Sequence, residues 1–344
     1  MNIEDIPKMI RHLGRTLFGK APMAPKVALD GKHIIVTGAS PGSIGFETAK
    51  TLASWGACVT ITTRSNPEAT VDAITTALSL EGKPADLHGH SLDLTQAASV
   101  CAFSEWYLDT FNDKLDVLIN NAGIHLDLLS QWDQPNLTAD GFEIHWRTNY
   151  LGTSMLTQLL LPALTVAGKQ YGDARVVNVS SHLHSRGINR EFFSPQRPYD
   201  SWSAYGQSKL AVVHHAFELQ RRYASDCNLQ GYVLHPGAIA TNISGKGLEG
   251  NGLLQKLRNL FSPIEALILM SPNEGAQTQI LCATAPSVEG GKFYERCETA
   301  KVNPEANDKT IAKRLWDETQ VWALTMSKAH TQTSTQTSAP VNSV

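Results

Sequence analysis

What this chain lacks sets its bounds. Its five cysteines (Cys58, Cys101, Cys227, Cys282 and Cys297) form no C-x-x-C pair and no His/Cys cluster at metal spacing. A disulfide framework and a structural zinc are therefore not expected, and a reduced, intracellular protein is the simple reading. No charge of one sign dominates, since 29 Lys+Arg stand against 32 Asp+Glu for a net charge of −3. A nucleic-acid binder would carry a strongly basic stripe, so no such partner is expected. No run of about 18 apolar residues occurs, so no helix is expected to span a bilayer. The first residues are acidic and no continuous apolar stretch follows them, which argues against a secretory leader. Internal repeats are absent. What remains is a chain that is 42% hydrophobic and 18% charged over 344 residues, enough for one large domain with a sizeable core.

Residues 1–27 read as an N-terminal arm. Met9, Ile10, Leu13, Leu17 and Phe18 fall on one side of a helix, with Lys8, Arg11, Arg15 and Lys20 among them. Such an arm either packs on the main body or rests its basic amphipathic face on a membrane surface. The location expected is cytoplasmic, with peripheral membrane contact as the alternative.

The pattern then changes. His33–Thr37 reads as a buried strand, residues 38–45 (Gly-Ala-Ser-Pro-Gly-Ser-Ile-Gly) as a glycine turn, and Phe46, Ala49, Leu52 and Ala53 as the core face of a helix. Strand, glycine turn and helix form the context in which a dinucleotide's pyrophosphate meets free N–H groups and the positive end of a helix dipole. An ordinary tight turn is the plainer reading. A second strand, Cys58–Thr63, ends at Arg64. An acid at this point binds the 2′-hydroxyl of NAD, whereas an arginine accommodates the 2′-phosphate of NADP. Thr62 and Thr63 are not acidic, and Arg64 can pair with a phosphate, so NADP(H) is the expected cofactor.

Further strand and helix units follow. Strands are expected at 88–92, 115–119, 175–179 and 230–234, with helices at 95–107 and 141–164. Alternating units of this kind predict a single-domain α/β fold, a Rossmann-type doubly wound parallel sheet with helices on both faces. Ligands then bind past the carboxyl ends of the strands, where Asp93, Asn120, Ser180 and Ser181 fall. A loop over 182–201 follows, and its His182 and His184 read as rim residues, since no third metal ligand is evident. No metal is expected. Thr241, after His235-Pro236-Gly237, is placed to hydrogen-bond a carboxamide or phosphate. Residues 242–272, glycine-rich and then apolar, read as a substrate lid, or else as a helix that covers the sheet edge or meets a partner subunit. A helix at 274–283, a strand at 292–294 and a helix at 308–324 complete the domain. The Ser/Thr/Gln-rich stretch 327–344 reads as disordered.

Tyr205 and Lys209 are four residues apart, ahead of Leu210, Val213 and Phe217 at helical intervals. They therefore share a helix face. A nearby ammonium lowers a phenol's pKa from about 10, and such a tyrosine can give or take a proton in carbonyl or alcohol chemistry. Alone, the pair also fits an amphipathic surface helix.

Together these residues resemble the short-chain dehydrogenase/reductase family. The motifs are Thr37-Gly38-x-x-x-Gly42, Asn120-Asn121-Ala122-Gly123, Asn149, Ser181, Tyr205-x-x-x-Lys209 and Pro236-Gly237, and the match covers roughly 28–325. Thr63-Arg64, residues 274–277 (Glu-Gly-Ala-Gln) and residues 291–294 (Gly-Lys-Phe-Tyr) look like the retinol-dehydrogenase-like branch. The resemblance implies Tyr205 as acid/base and Lys209 as the group that lowers its pKa and binds the nicotinamide ribose. It implies Ser181 as donor to the substrate oxygen and Asn149 as holder of a relay water. Gly38, Ser40, Gly42 and Ile44 would line the pyrophosphate, Asp93 and Asn121 the adenine and its ribose, and Pro236 and Gly237 the nicotinamide. One departure is evident: the third glycine, Gly45, comes one residue late. Either Ser43 is inserted, or it replaces the middle glycine. The apolar lid and the aromatic loop point to a hydrophobic aldehyde or ketone and its alcohol as substrate, and a homodimer is compatible. A catalytically weak NADP(H)-binding regulator or scaffold is the alternative.

Overall fold

Ile34 and Val36 of the first strand face one layer of helices, and Ile35, between them, faces the other. Side chains alternate along a strand, so a sheet buried on both sides needs apolar residues at successive positions. The computed structural model describes residues 22–83, 85–194, 197–237 and 270–337. Residues 1–21 of the arm, Thr241, positions 242–269 of the expected lid and positions 338–344 of the tail lie outside the described residues.

The strands are β1 (His33–Thr37), β2 (Cys58–Thr63), β3 (Asp86–Ser91), β4 (Val117–Asn120), β5 (Ala174–Val179), β6 (Leu229–His235), β7 (Phe293–Glu295) and β8 (Glu298–Thr299). They form one sheet in the order β3-β2-β1-β4-β5-β6-β7-β8. All pairings are parallel except β7 with β8. The order reverses between β1 and β4, and a crevice at such a point is where doubly wound sheets bind ligands.

The helices are α1 (Ile44–Ser54), α2 (Pro67–Leu80), α3 (Ala97–Phe111), α4 (Thr153–Tyr171), α5 (Ser201–Cys227), α6 (Pro272–Thr284) and α7 (Lys309–Thr337). Leu52, Ile74 and Ile280 bring α1, α2 and α6 onto one sheet face. Phe103, Leu164 and Trp316 bring α3, α4 and α7 onto the other. The doubly wound α/β fold expected from the alternating units is present.

The structure corrects some expectations. The helix expected over 141–164 begins at Trp146, and its first turns, Trp146–Gly152, are a π-helix that leads into α4. Trp146–Tyr171 is long and apolar enough to cross a membrane by length and composition, contrary to the expectation, but 67% of its most apolar window is buried inside the protein. The stretch expected to be disordered from 327 is helical to Thr337. Just ahead of that stretch, Met326 packs on the core. Within it, Thr331 Oγ1 donates back to the Ser327 carbonyl at 3.2 Å, so a polar side chain is satisfied inside the helix itself. Strand β8 is an addition that sequence patterning did not anticipate.

Candidate active site

The glycine turn resolves the question of the late third glycine. The Ser43 N–H donates to the Ser40 carbonyl at 3.0 Å, closing a turn with Pro41 second and Gly42 third. Gly42 has φ +77°, the left-handed backbone that a proline-glycine turn of this kind requires. Ser43 then caps α1, its Oγ accepting from Phe46 N at 3.1 Å. A Cβ on Gly45 would lie 2.6 Å from both the Gly38 carbonyl and Asn121 Nδ2. The extra residue is therefore absorbed in the turn ahead of the cap, and Gly45 supplies the close helix-to-turn contact. Asn121 ties the arrangement together, donating to the carbonyls of Thr37 (2.7 Å) and Gly38 (3.1 Å).

Arg64 is exposed at the end of β2. Asp93 is held below the usual carboxylate range: burial alone would raise it, but hydrogen bonds from Thr95 and Gln96, with the charge of Arg64, outweigh burial.

Around Tyr205 the chain brings distant groups together. Burial pushes the Tyr205 phenol up to about 12, partly offset by a hydrogen bond with the Ser181 side chain. Lys209 Nζ lies 5.7 Å from the Tyr205 ring centre and donates to the Val179 carbonyl at 2.9 Å. Burial pushes this ammonium down to about 8. Without cofactor, removal from water sets the direction of both groups, the phenol upward and the ammonium downward. Ser180 donates to the Lys209 carbonyl at 2.9 Å, so of the two serines only Ser181 meets the phenol.

Asn149 sits in the π-helical turn. Its Oδ1 accepts from Ile124 N (2.8 Å), and its Nδ2 donates to Ile124 O (3.0 Å) and Ser208 Oγ (3.1 Å). Its side chain therefore pins the loop after Asn120-Asn121-Ala122-Gly123. His145 pins the same loop, its Nε2 accepting from Leu126 N at 2.9 Å while Nδ1 donates to Glu143 at 2.7 Å. A Cβ on Gly123 would lie 3.1 Å from Lys209 Nζ and 3.2 Å from Asn149 Oδ1, which puts all three at one spot.

Sequence reasoning missed His125. Held between Ile124 and Leu126, its ring stacks on that of Tyr205, with centroids 4.0 Å apart and planes at 12°. Trp202 meets it edge-on at 4.7 Å. Burial first, then the neighbouring side chains of His145, Lys209 and Arg186, push His125 down to about 4, so it is neutral at pH 7. Its position two residues after the Asn-Asn-Ala-Gly run was the one available signal. Pro236 and Gly237 follow β6, and Gly237 (φ +94°) lies against Met270, at the far end of the expected lid.

The profile described as short chain dehydrogenase matches residues 32–251. The chain belongs to the short-chain dehydrogenase family. Among curated relatives it is 36% identical to retinol dehydrogenase 12 of Mus musculus over 306 residues, covering 88% of this chain and 90% of that one. It is 35% identical to retinol dehydrogenase 14 of Homo sapiens over 308 residues, covering 85% and 86%. These place it in the retinol-dehydrogenase-like branch. A solved structure, a putative uncharacterized protein from Mycobacterium paratuberculosis, superposes with a TM-score of 0.62 at 28% identity, covering 90% of this chain and 96% of that one. The Pseudomonas aeruginosa RhlG/NADP complex, at 24% identity and TM-score 0.58, covering 83% and 100%, shares the fold. This family member is accordingly an oxidoreductase of alcohols and carbonyls with a nicotinamide cofactor. The residues fit such a group: a helix N-terminus behind a glycine turn, and at Gly123 a missing side chain that leaves room beside Lys209.

Proposed function

We propose that this short-chain dehydrogenase is an NADP(H)-dependent oxidoreductase that interconverts a hydrophobic aldehyde or ketone and its alcohol, with Tyr205 as acid/base. The observation that carries the reading is the gathering of Lys209, Asn149 and Gly123 at one spot at the carboxyl ends of the strands, with Lys209 Nζ 5.7 Å from the Tyr205 ring centre. Gly38, Ser40, Gly42 and Ile44 would hold the pyrophosphate, Arg64 the 2′-phosphate, Asp93 and Asn121 the adenosine side, and Lys209, Pro236, Gly237 and Thr241 the nicotinamide side. Asn149, its side chain engaged by the Ile124 loop, would hold a relay water through its main chain. When bound, the cofactor supplies or accepts the hydride.

The protein's part is to orient and to move a proton. Ser181 and Tyr205 converge on the substrate oxygen, and holding it there supplies much of the rate. At neutral pH a phenol raised to about 12 is protonated, so it is ready to donate in carbonyl reduction. His125 fixes the plane of its ring. The aromatic surroundings (His125, Trp202) and relatives named for retinol support an apolar substrate.

One experiment tests this. Reduction of a panel of apolar carbonyls is followed with NADPH and NADH for the wild type, Tyr205→Phe and Arg64→Ala. Tyr205→Phe should lose nearly all turnover, and Arg64→Ala should weaken NADPH far more than NADH. Near-normal turnover in the first, or equal losses in the second, sinks the corresponding assignment. The lengthened glycine turn favours a second reading, a cofactor-binding regulator without turnover. NADPH fluorescence that responds to binding, with no reduction across the panel, would select it. Cytoplasmic residence, contact of residues 1–27 with a membrane surface and a homodimer complete the proposal; liposome co-sedimentation and sedimentation velocity check the last two.

A further inference from the structure

Next to Ser181, but apart from the Tyr205 cluster, side chains from three strand ends meet. His182 follows β5, His235 ends β6 and Glu295 ends β7. These strands are neighbours in the sheet, and His235 lies opposite Glu295 in the β6–β7 register. One nitrogen or oxygen from each residue lies within 4.8 Å of the other two. His182 Nε2 is 2.8 Å from Glu295 Oε1, and the rings of His182 and His235 are 4.2 Å apart. His235 Nδ1 is buried and has no hydrogen-bond partner among the described residues.

A buried ring nitrogen without a partner calls for an explanation. The adjacent His184 gives the contrast. Its Nδ1 bonds the Ser181 carbonyl and its Nε2 accepts from Asn303 N, so that ring has nothing left to offer.

We infer that His182, His235 and Glu295 bind a divalent transition-metal ion of the zinc class. Two imidazoles and one carboxylate are the donor set zinc takes, whereas calcium and magnesium take oxygen ligands. Tetrahedral bonds of about 2.0–2.1 Å place ligand atoms roughly 3.3 Å apart. A set already within 4.8 Å closes to that spacing by side-chain rotation, which His182 is free to make, its side chain being 61% exposed. The ion displaces the proton shared by His182 and Glu295. Three protein ligands leave a fourth position for water on the exposed side. Bound there, the ion ties the turn that begins at Ser181 to the ends of β6 and β7.

The test uses untagged full-length protein stripped with a chelator. Co2+ is titrated in while its visible absorbance is recorded, and Zn2+ is then added in competition. The expected result is one equivalent of Co2+ with the intense bands of a tetrahedral site, displaced by Zn2+. His182→Gln and Glu295→Gln, both changes at the protein's rim, should each weaken binding about tenfold or more, with melting curves confirming that the variants fold. Absent bands, or unchanged affinity in the double variant, overturns the assignment. The readout is optical, so it stands or falls separately from turnover.

Discussion

Lys209 is nearly sealed from water, at 4% exposure, and burial holds its ammonium at about 8, below the usual 10.5. Between those values the unfolded chain binds more protons than the folded one, so stability climbs as pH rises from about 8 to 10.5. Below about 8 the folded protein bears the full cost of a buried charge. Lys209→Met, without cofactor, should therefore be more stable than wild type at pH 7, by about 1–2 kcal/mol. That advantage should fade toward pH 10.5. Melting temperatures of both proteins at pH 7 and pH 10 check this, and a constant difference would refute it. The Tyr205/Lys209 pair was legible because helical spacing alone puts both on one face. The direction of the Tyr205 shift was not, since it depends on how deeply the fold buries the ring. Nor was His125, whose stacking exists only once Asn149 and His145 have pinned its loop.

At the scale of elements, the strands with continuous apolar runs were readable to within a residue or two. The β7–β8 hairpin was not. Its two turn residues, Arg296 and Cys297, have φ of 51° and 62°, and such turns normally announce themselves with Asn-Gly or Asp-Gly. Left-handed backbone costs about 1–2 kcal/mol for an ordinary side chain, and asparagine tolerates it better. Arg296 is exposed, so Arg296→Asn should stabilise by about 0.5–1 kcal/mol. A rise of roughly 1–4 °C in Tm is the expected reading, and a fall would remove the strain argument. Helix α7 outran its expected end for a related reason: a Ser/Thr/Gln-rich composition resembles disorder until the packing of Met326 is known.

For the whole molecule, the decisive inference was topological. Alternating β and α units imply a parallel sheet, and that places the carboxyl ends of its strands at one rim. Hence Asp93, Asn121, Ser181 and Pro236 could be expected along one rim of the sheet without coordinates. Which neighbours meet across that rim was hidden, as His182 with Glu295 shows. Trp316 joins elements in a comparable way on the far side. It stacks on His215 of α5 at 4.8 Å and lies in the core shared by α3 and α4. Trp316→Ala should cost about 3–5 kcal/mol, seen as a lower urea midpoint; a loss under about 1 kcal/mol would mean that α7 is only loosely docked. The proline in the lengthened loop before α1 has a consequence of its own. Pro41 has no amide hydrogen, so that bend has one fewer donor to offer an anion. If the proposed NADP(H) reading holds, anchorage of the dinucleotide would lean more on the guanidinium at the tip of β2, and discrimination by the ribose phosphate should be correspondingly steep.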